Sequence, residues 1–139
     1  MALPHRIALS ILALAMAACR TAGPASGEAR LVTGAWGGAH ISLRLGPDGG
    51  VLEYDCASGT IDQSLRTGAS GRFAARGTHV PGQGGPEREG YEPPRLSAEY
   101  SGEVDRDRMT LIVRVPSIDL EIGPLALRRG AEPIILRCL

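Results

Sequence analysis

The sequence predicts an all-β protein: a single antiparallel up-and-down β-barrel of about eight to ten strands over residues 30–139. Three observations carry that expectation. Beyond residue 30, apolar side chains recur with period 2, and no stretch holds a period of 3.6. The 19 glycines and 10 prolines punctuate these runs, at the roughly 8–12-residue spacing of short strands and turns. No helix-length segment separates one run from the next, so each strand should return beside its predecessor. Closing such a meander into a barrel removes its exposed edges.

The elements follow in chain order. Gly34-Ala35-Trp36 opens the first strand. Ile41, Leu43 and Leu45 alternate with His40, Ser42 and Arg44; after Gly46-Pro47-Asp48-Gly49-Gly50, Leu52, Tyr54 and Cys56 alternate with Glu53 and Asp55. Pro and Gly supply the turn dihedrals of that hairpin. Ile61, Gln63 and Leu65 suggest a further strand, and Phe73 and Ala75 another. Leu96, Ala98, Tyr100, Gly102 and Val104 form a long one, turned by Asp105-Arg106-Asp107-Arg108. Met109, Leu111, Val113 and Val115 return, followed by Ile118, Leu120 and Ile122, by Leu125 and Leu127, and by Ile134, Leu136 and Cys138. Pro81–Pro94, rich in Gly, Pro and Glu, breaks the rhythm and is long for a hairpin connection, which reads as a plain surface loop or as a lid or contact loop.

Composition narrows the function. Fifteen arginines balance 15 acidic residues, lysine is absent, and the formal net charge is zero. A nucleic-acid partner is therefore not expected, and one Trp, three Tyr and one Phe are too few for a base-stacking platform.

Residues 1–18 read as a targeting segment. Arg6 precedes the uncharged run Ile7–Ala18, which is too short for the roughly 20 helical residues that cross a bilayer and fits a secretory signal peptide. Two processing routes stay open. Ala15 and Ala17 suit ordinary signal peptidase, whereas Met16-Ala17-Ala18-Cys19 resembles a bacterial lipobox, which implies acylation of Cys19 as the mature N-terminus. Residues 19–29 read as a flexible tether, since Thr21-Ala22-Gly23-Pro24-Ala25-Ser26-Gly27 is small, polar and unable to bury area. Arg20 stands where lipoproteins kept at the inner membrane often carry Asp, so the resemblance implies an exported, lipid-anchored protein of the cell envelope, at the outer membrane facing the periplasm. If Cys19 carries lipid, Cys56 and Cys138 are the one intramolecular pair left for an oxidising compartment, the alternative being two separate buried thiols. Alternation places both on the inward face of their strands.

Gly34-Ala35-Trp36 is similar to the G-x-W of lipocalin-like (calycin) barrels. Their Trp closes one barrel end under an Arg from the last strand. The resemblance implies that Arg137 packs on Trp36. Trp36-Gly37-Gly38-Ala39-His40-Ile41 and Asp55-Cys56-Ala57-Ser58-Gly59-Thr60-Ile61 also resemble small uncharacterised bacterial lipoproteins, which implies no activity.

Catalytic chemistry is hard to find. His40, beside Trp36 and outward by alternation, is a contact candidate, and it and His79 read as surface residues. No His-x-x-His or Cys-x-x-Cys spacing points to a metal. Glu53 and Asp55 share one solvated face, Gly68-Ala69-Ser70-Gly71 lacks the spacing of a nucleophile elbow, and Gly82-Gln83-Gly84-Gly85 lacks a phosphate loop's ending. Neither an enzyme nor a cofactor is expected. The expected function is binding of a small or hydrophobic molecule in the envelope; the small inward residues Ala75, Ala98 and Gly102 would leave room for it, or the inward Leu, Ile, Met and Tyr would fill the barrel. The alternatives are an envelope interaction protein, such as an inhibitor of lysozyme or protease, or a purely structural module. Lipoprotein inhibitors of lysozyme are also small barrels with an early Cys bridged to a C-terminal Cys; their Ser-Gly-x-x-Tyr motif is absent, since Ala98-Glu99-Tyr100-Ser101-Gly102 carries the letters in another order.

Overall fold

The computed structural model describes residues 27–139; the expected signal peptide, Cys19 and most of the expected tether lie outside them. Eight antiparallel strands close into a barrel: β2 (Gly34–Gly38), β3 (Ile41–Leu45), β4 (Gly50–Tyr54), β5 (Ala57–Ile61), β7 (Arg72–Pro81), β8 (Leu96–Asp105), β9 (Arg108–Val115) and β10 (Leu120–Arg129), with β10 pairing β2 through Arg128↔Gly37 and Arg129↔Trp36. A two-residue pair, β1 (Arg30–Leu31) with β6 (Arg66–Thr67), lies outside the barrel. The expected all-β, up-and-down architecture is what the chain adopts.

The period-2 pattern places its apolar half inside. Ile41, Leu43 and Leu45 on β3, Leu52 and Tyr54 on β4, and Met109, Leu111, Val113 and Val115 on β9 are buried, while Arg44, Glu53 and Arg114 between them face water. Each large apolar side chain so enclosed contributes about 1.5–3 kcal/mol. The small residues do not leave a void. Ala75 pairs with Tyr100 and Gly102 with Phe73 across β7 and β8, so an aromatic ring sits beside each small neighbour. A Cβ on Gly59 would stand 2.3 Å from the Tyr100 hydroxyl. Ala75 and Ala98 are buried, as are the large inward side chains of Leu43, Tyr100 and Leu111, so of the two arrangements the sequence left open, the filled interior is the one adopted.

Alternate ends of the strands define two ends of the barrel. The lower end holds Gly34, Leu45, residues 62–71, the Asp105–Arg108 turn and Arg129; the upper end holds the tips at Ala39–His40 and Asp55–Cys56, the loop 82–95 and the connection 116–119. Two strand expectations are corrected. After Ile61 the chain leaves the sheet, and Leu65, fully buried, plugs the lower end beside Val32, whose N–H donates to the Leu65 carbonyl at 2.9 Å. The last strand is β10, ending at Arg129; Ile134, Leu136 and Cys138 are no strand. Residues 131–139 instead run back up the outside as a strap. Its Ala131 carbonyl crosses β2 where a Cβ on Gly37 would stand 2.1 Å away, so only glycine lets it pass. With most of its side chains exposed, Ile134 at 67% and Leu136 at 57%, the strap buries too little to be an inner strand.

Candidate functional site

The upper end gathers the chain's polar and covalent features. Turn residues Cys56 (φ 57°) and His40 (φ 72°) are left-handed, so alternation stops at both tips and neither side chain continues the inward or outward set of its strand. This corrects the inward placement of Cys56 and Cys138. The two are bonded (S–S 2.07 Å, Cα–Cα 5.0 Å), but on the rim, fastening the strap across the β4–β5 tip. Beside the bond, Asp55 bridges three segments. Its Oδ2 lies 2.5 Å from His40 Nδ1, and its Oδ1 accepts the Leu136 N–H at 2.7 Å. The His40 N–H donates to the Ile134 carbonyl at 2.6 Å, and the Cys56 carbonyl accepts the Gly82 N–H at 2.7 Å. One turn therefore ties the first hairpin, the strap and the start of the long loop together.

Between strap and loop runs an open groove of about 910 Å³, lined by Glu53, Ser58, Val80, Tyr91, Leu136 and Arg137 among others. It lies on the rim, outside the barrel wall. Glu87 and Arg88 add one charge of each sign, and Pro93, Val80 and Leu136 supply apolar surface. The segment Pro81–Pro94, expected to be a loop, forms one side of it past Pro81, where β7 ends.

Below the groove lies a buried polar cluster. His79 is 1% exposed, which corrects its reading as a surface residue: on β7 it follows Phe73 and Ala75 on the inward set. The Tyr54 hydroxyl is hydrogen-bonded to His79 Nδ1 and also donates to the Ser58 carbonyl at 3.4 Å, and the Tyr54 and His79 rings stack at 5.6 Å. The Tyr100 hydroxyl donates to the Thr78 carbonyl at 2.7 Å. Burial lowers the His79 pKa, because enclosure disfavours the imidazolium. Burial likewise pushes Tyr54 up to about 12 and raises Tyr100, where the nearby Tyr54 adds to the effect. All three groups are held neutral and enclosed. Tyr100 is thus removed from any exposed motif around Ser101-Gly102.

The contact residues expected from sequence do not share one site. Trp36 is buried in the lower half, its Nε1–H donating to the Thr33 carbonyl at 3.2 Å. The guanidinium over it belongs to Arg129, with Cζ 4.2 Å from the ring centroid and Nη1 donating to the same Thr33 carbonyl at 2.7 Å. This corrects the pairing with Arg137, which lies beyond the last strand and lines the groove at the other end. Gly34 has φ +99°, and a Cβ there would stand 3.0 Å from Arg129 Nη1, which is why a glycine opens the Gly34-Ala35-Trp36 segment. His40 sits on the rim with Asp55 rather than beside Trp36. Sequence reasoning read Asp55 and His79 as solvent-facing residues without a role and passed over Arg129. Arg129-Gly130 at the end of an apolar run was the one available signal, a strand end followed by a turn glycine.

Among the described residues no three His, Cys, Asp or Glu side chains gather as a metal set. Comparison with protein-family models, with curated proteins and with solved structures returns no match.

Proposed function

We propose that the chain is an exported lipoprotein, acylated at Cys19, whose barrel serves as an interaction module of the cell envelope through its upper rim. The observation that carries this reading is the contrast between a filled interior and a built rim. Trp36, Leu43, Leu52, Tyr100, Leu111 and Val113 occupy the space a lipocalin-like carrier would keep for its ligand. The rim is fastened by a disulfide and a bridging carboxylate, so it is ordered in advance of any partner, which lowers the entropy cost of binding. The Trp36–Arg129 stack supports a calycin-like closure of the lower end, with Arg129 in the role expected of Arg137.

A second reading keeps a small hydrophobic molecule but moves it to the rim groove. Its volume of about 910 Å³ is within the roughly 300–1,000 Å³ of ligand sites. Mild-detergent purification of the full chain from its host, followed by native mass spectrometry and cross-linking, separates the two. The interaction reading expects a co-purifying envelope protein cross-linked to residues 82–94 or 131–139. A bound small molecule with no protein partner overturns it in favour of the second.

A further inference from the structure

We propose that the Cys56–Cys138 bond is a thiol-exchange site through which a dithiol reductant opens the rim groove. The inference concerns the regulation of the interaction surface proposed above. Its consequence for a partner rests on that reading, whereas the exchange rests on the rim geometry alone. Cys56 is exposed at the β4–β5 tip, and Cys138 is partly exposed beside it. Both line the open groove, so a thiol reaches the bond without any strand leaving the barrel. Exposed disulfides of this kind are the labile ones, in contrast to those enclosed in a core.

The bond decides where the strap lies. Apart from it, residues 134–139 are held by the Ile134 N–H on the Gly38 carbonyl at 3.1 Å, the His40 N–H on the Ile134 carbonyl at 2.6 Å and the Leu136 N–H on Asp55 Oδ1 at 2.7 Å. No side chain of residues 131–139 is buried, and none belongs to the core cluster. Exposed hydrogen bonds contribute little net, and they do not offset the conformational freedom lost in ordering that backbone. The strap supplies Pro133, Ile135, Leu136 and Arg137 to one side of the groove. Its Leu139 carbonyl also stands 2.5 Å from where a Cβ on Gly84 would lie, so the strap braces the long loop opposite. Opening the bond therefore removes one wall of the groove and the brace of the other. The filled interior and the Trp36–Arg129 stack at the lower end keep their contacts.

In the exchange, one thiolate of the dithiol bonds to Cys56 Sγ as the Cys56–Cys138 bond breaks. Cys138 leaves as a thiolate and takes up a proton. The second sulfur of the reductant then bonds to the first, and Cys56 is released as a thiolate that takes up the other proton. The pair of electrons that opened the bond has come from the reductant, which departs as a disulfide while the chain holds both cysteines as thiols.

The test uses the full mature chain, with dithiothreitol as the dithiol and glutathione as a monothiol trap. In native buffer, dithiothreitol followed by iodoacetamide should alkylate both Cys56 and Cys138 while the emission of Trp36, the single tryptophan, stays unchanged. A brief exposure to glutathione, quenched with iodoacetamide and mapped by peptide mass, should leave the glutathione adduct on Cys56 and the alkyl group on Cys138. In the reduced chain the amides of His40, Ile134 and Leu136 should lose their hydrogen-exchange protection, those of Leu43 and Val113 should keep it, and reoxidation should restore the first three. A bond that reacts only in urea, a Trp36 emission that moves to that of the unfolded chain on reduction, a glutathione adduct on Cys138, or strap amides still protected after reduction overturns the inference. So does an envelope partner, cross-linked to residues 82–94 or 131–139 of the oxidised chain, that stays bound after reduction. The absence of any such partner overturns the interaction reading alone, because the exchange and the release of the strap are read without one.

Discussion

The two ends of this barrel are closed by different physics. The lower end is closed by packing: Val32 and Leu65 plug it, Trp36 fills the space above, and Arg129 covers the indole while sharing the Thr33 carbonyl with it. The upper end is closed from outside, by a strap that buries little and is held by one disulfide, one carboxylate and a few backbone hydrogen bonds. A packed closure is inseparable from the global fold. A strapped one can open while the barrel stays intact, because few apolar contacts are lost when it leaves. That difference makes the order of the lower end a property of the core, and the order of the rim a property of the disulfide and the bridging carboxylate that hold the strap.

The largest effects should fall at the packed end. Trp36→Ala removes the largest buried side chain and leaves a cavity that β2, thinned by Gly37 and Gly38, cannot refill. Urea unfolding should show a loss of about 3–5 kcal/mol, with both ends of the barrel unfolding together. A loss under about 1 kcal/mol would mean that the lower end is not a packed closure.

Removing the strap's bond should cost less than its loop length suggests. A cross-link spanning 82 residues constrains the unfolded chain by about 4–5 kcal/mol in the loop-entropy model. In Cys56→Ser/Cys138→Ser, however, the strap is free to detach from a native barrel, and the freedom it regains offsets part of that loss. The expected change is near the lower limit of about 2 kcal/mol for native disulfides. Hydrogen exchange should locate it: the amides of Ile134 and Leu136 lose protection while Leu43 and Val113 keep theirs. Equal loss of protection at all four would show that the strap is part of the cooperative core.

The same contrast explains what the sequence made legible. The barrel wall was readable because burial on one face imposes strict alternation, as in Ile41-Ser42-Leu43-Arg44-Leu45. The upper end was not, because alternation stops where φ turns positive at His40 and Cys56. Cysteine parity still pointed to the bond, since parity is indifferent to which way a side chain faces. Ile134, Leu136 and Cys138 have the spacing of a strand, but their segment makes one isolated bridge, Ala39↔Ile134, just past the end of β2. Misreading the strap as the last strand also moved the tryptophan's partner from Arg129 to Arg137. His79 reads as a surface residue from sequence because a lone histidine in a β pattern has no signature of its own; its partner Tyr54 lies on another strand.

A smaller effect should appear in pH. Burial lowers the His79 pKa below the ordinary value near 6.5, so the unfolded chain takes up this proton more readily than the folded one. The stability His79 contributes as a neutral residue is complete above about pH 6.5 and is lost as pH falls through that value. Tyr54 behaves as the mirror case: its hydroxyl, raised from 10.0 to about 12, keeps its contribution below pH 10 and loses it as pH climbs toward 12. Melting temperatures across pH 5 to 8 should therefore rise with pH, and His79→Gln should flatten that slope around 6.5. An unchanged slope in the variant would assign it to other groups.

The smallest effect is the most specific to the comparison. Arg129 and Arg137 are both exposed arginines near the C-terminus, and only their place in the fold distinguishes them. Arg129 lies 4.2 Å over the Trp36 ring and donates to the Thr33 carbonyl. An exposed cation–π contact gives about 0.5–1 kcal/mol, and the hydrogen bond from a charged donor adds a similar amount once solvent exposure is allowed for. Arg129→Ala should cost about 1–2 kcal/mol and shift the Trp36 emission. Arg129→Lys should recover only part of this, since an ammonium cannot lie flat on the indole and reach Thr33 at once. Arg137→Ala should stay within about 0.5 kcal/mol, as for a surface residue outside the core network. A double-mutant cycle of Arg129→Ala with Trp36→Phe isolates the pair from the general cost of truncation. A coupling near zero, or an Arg137→Ala loss as large as that of Arg129→Ala, would dissolve the difference between the ends, because the covering guanidinium is what makes the lower closure more than a hydrophobic plug.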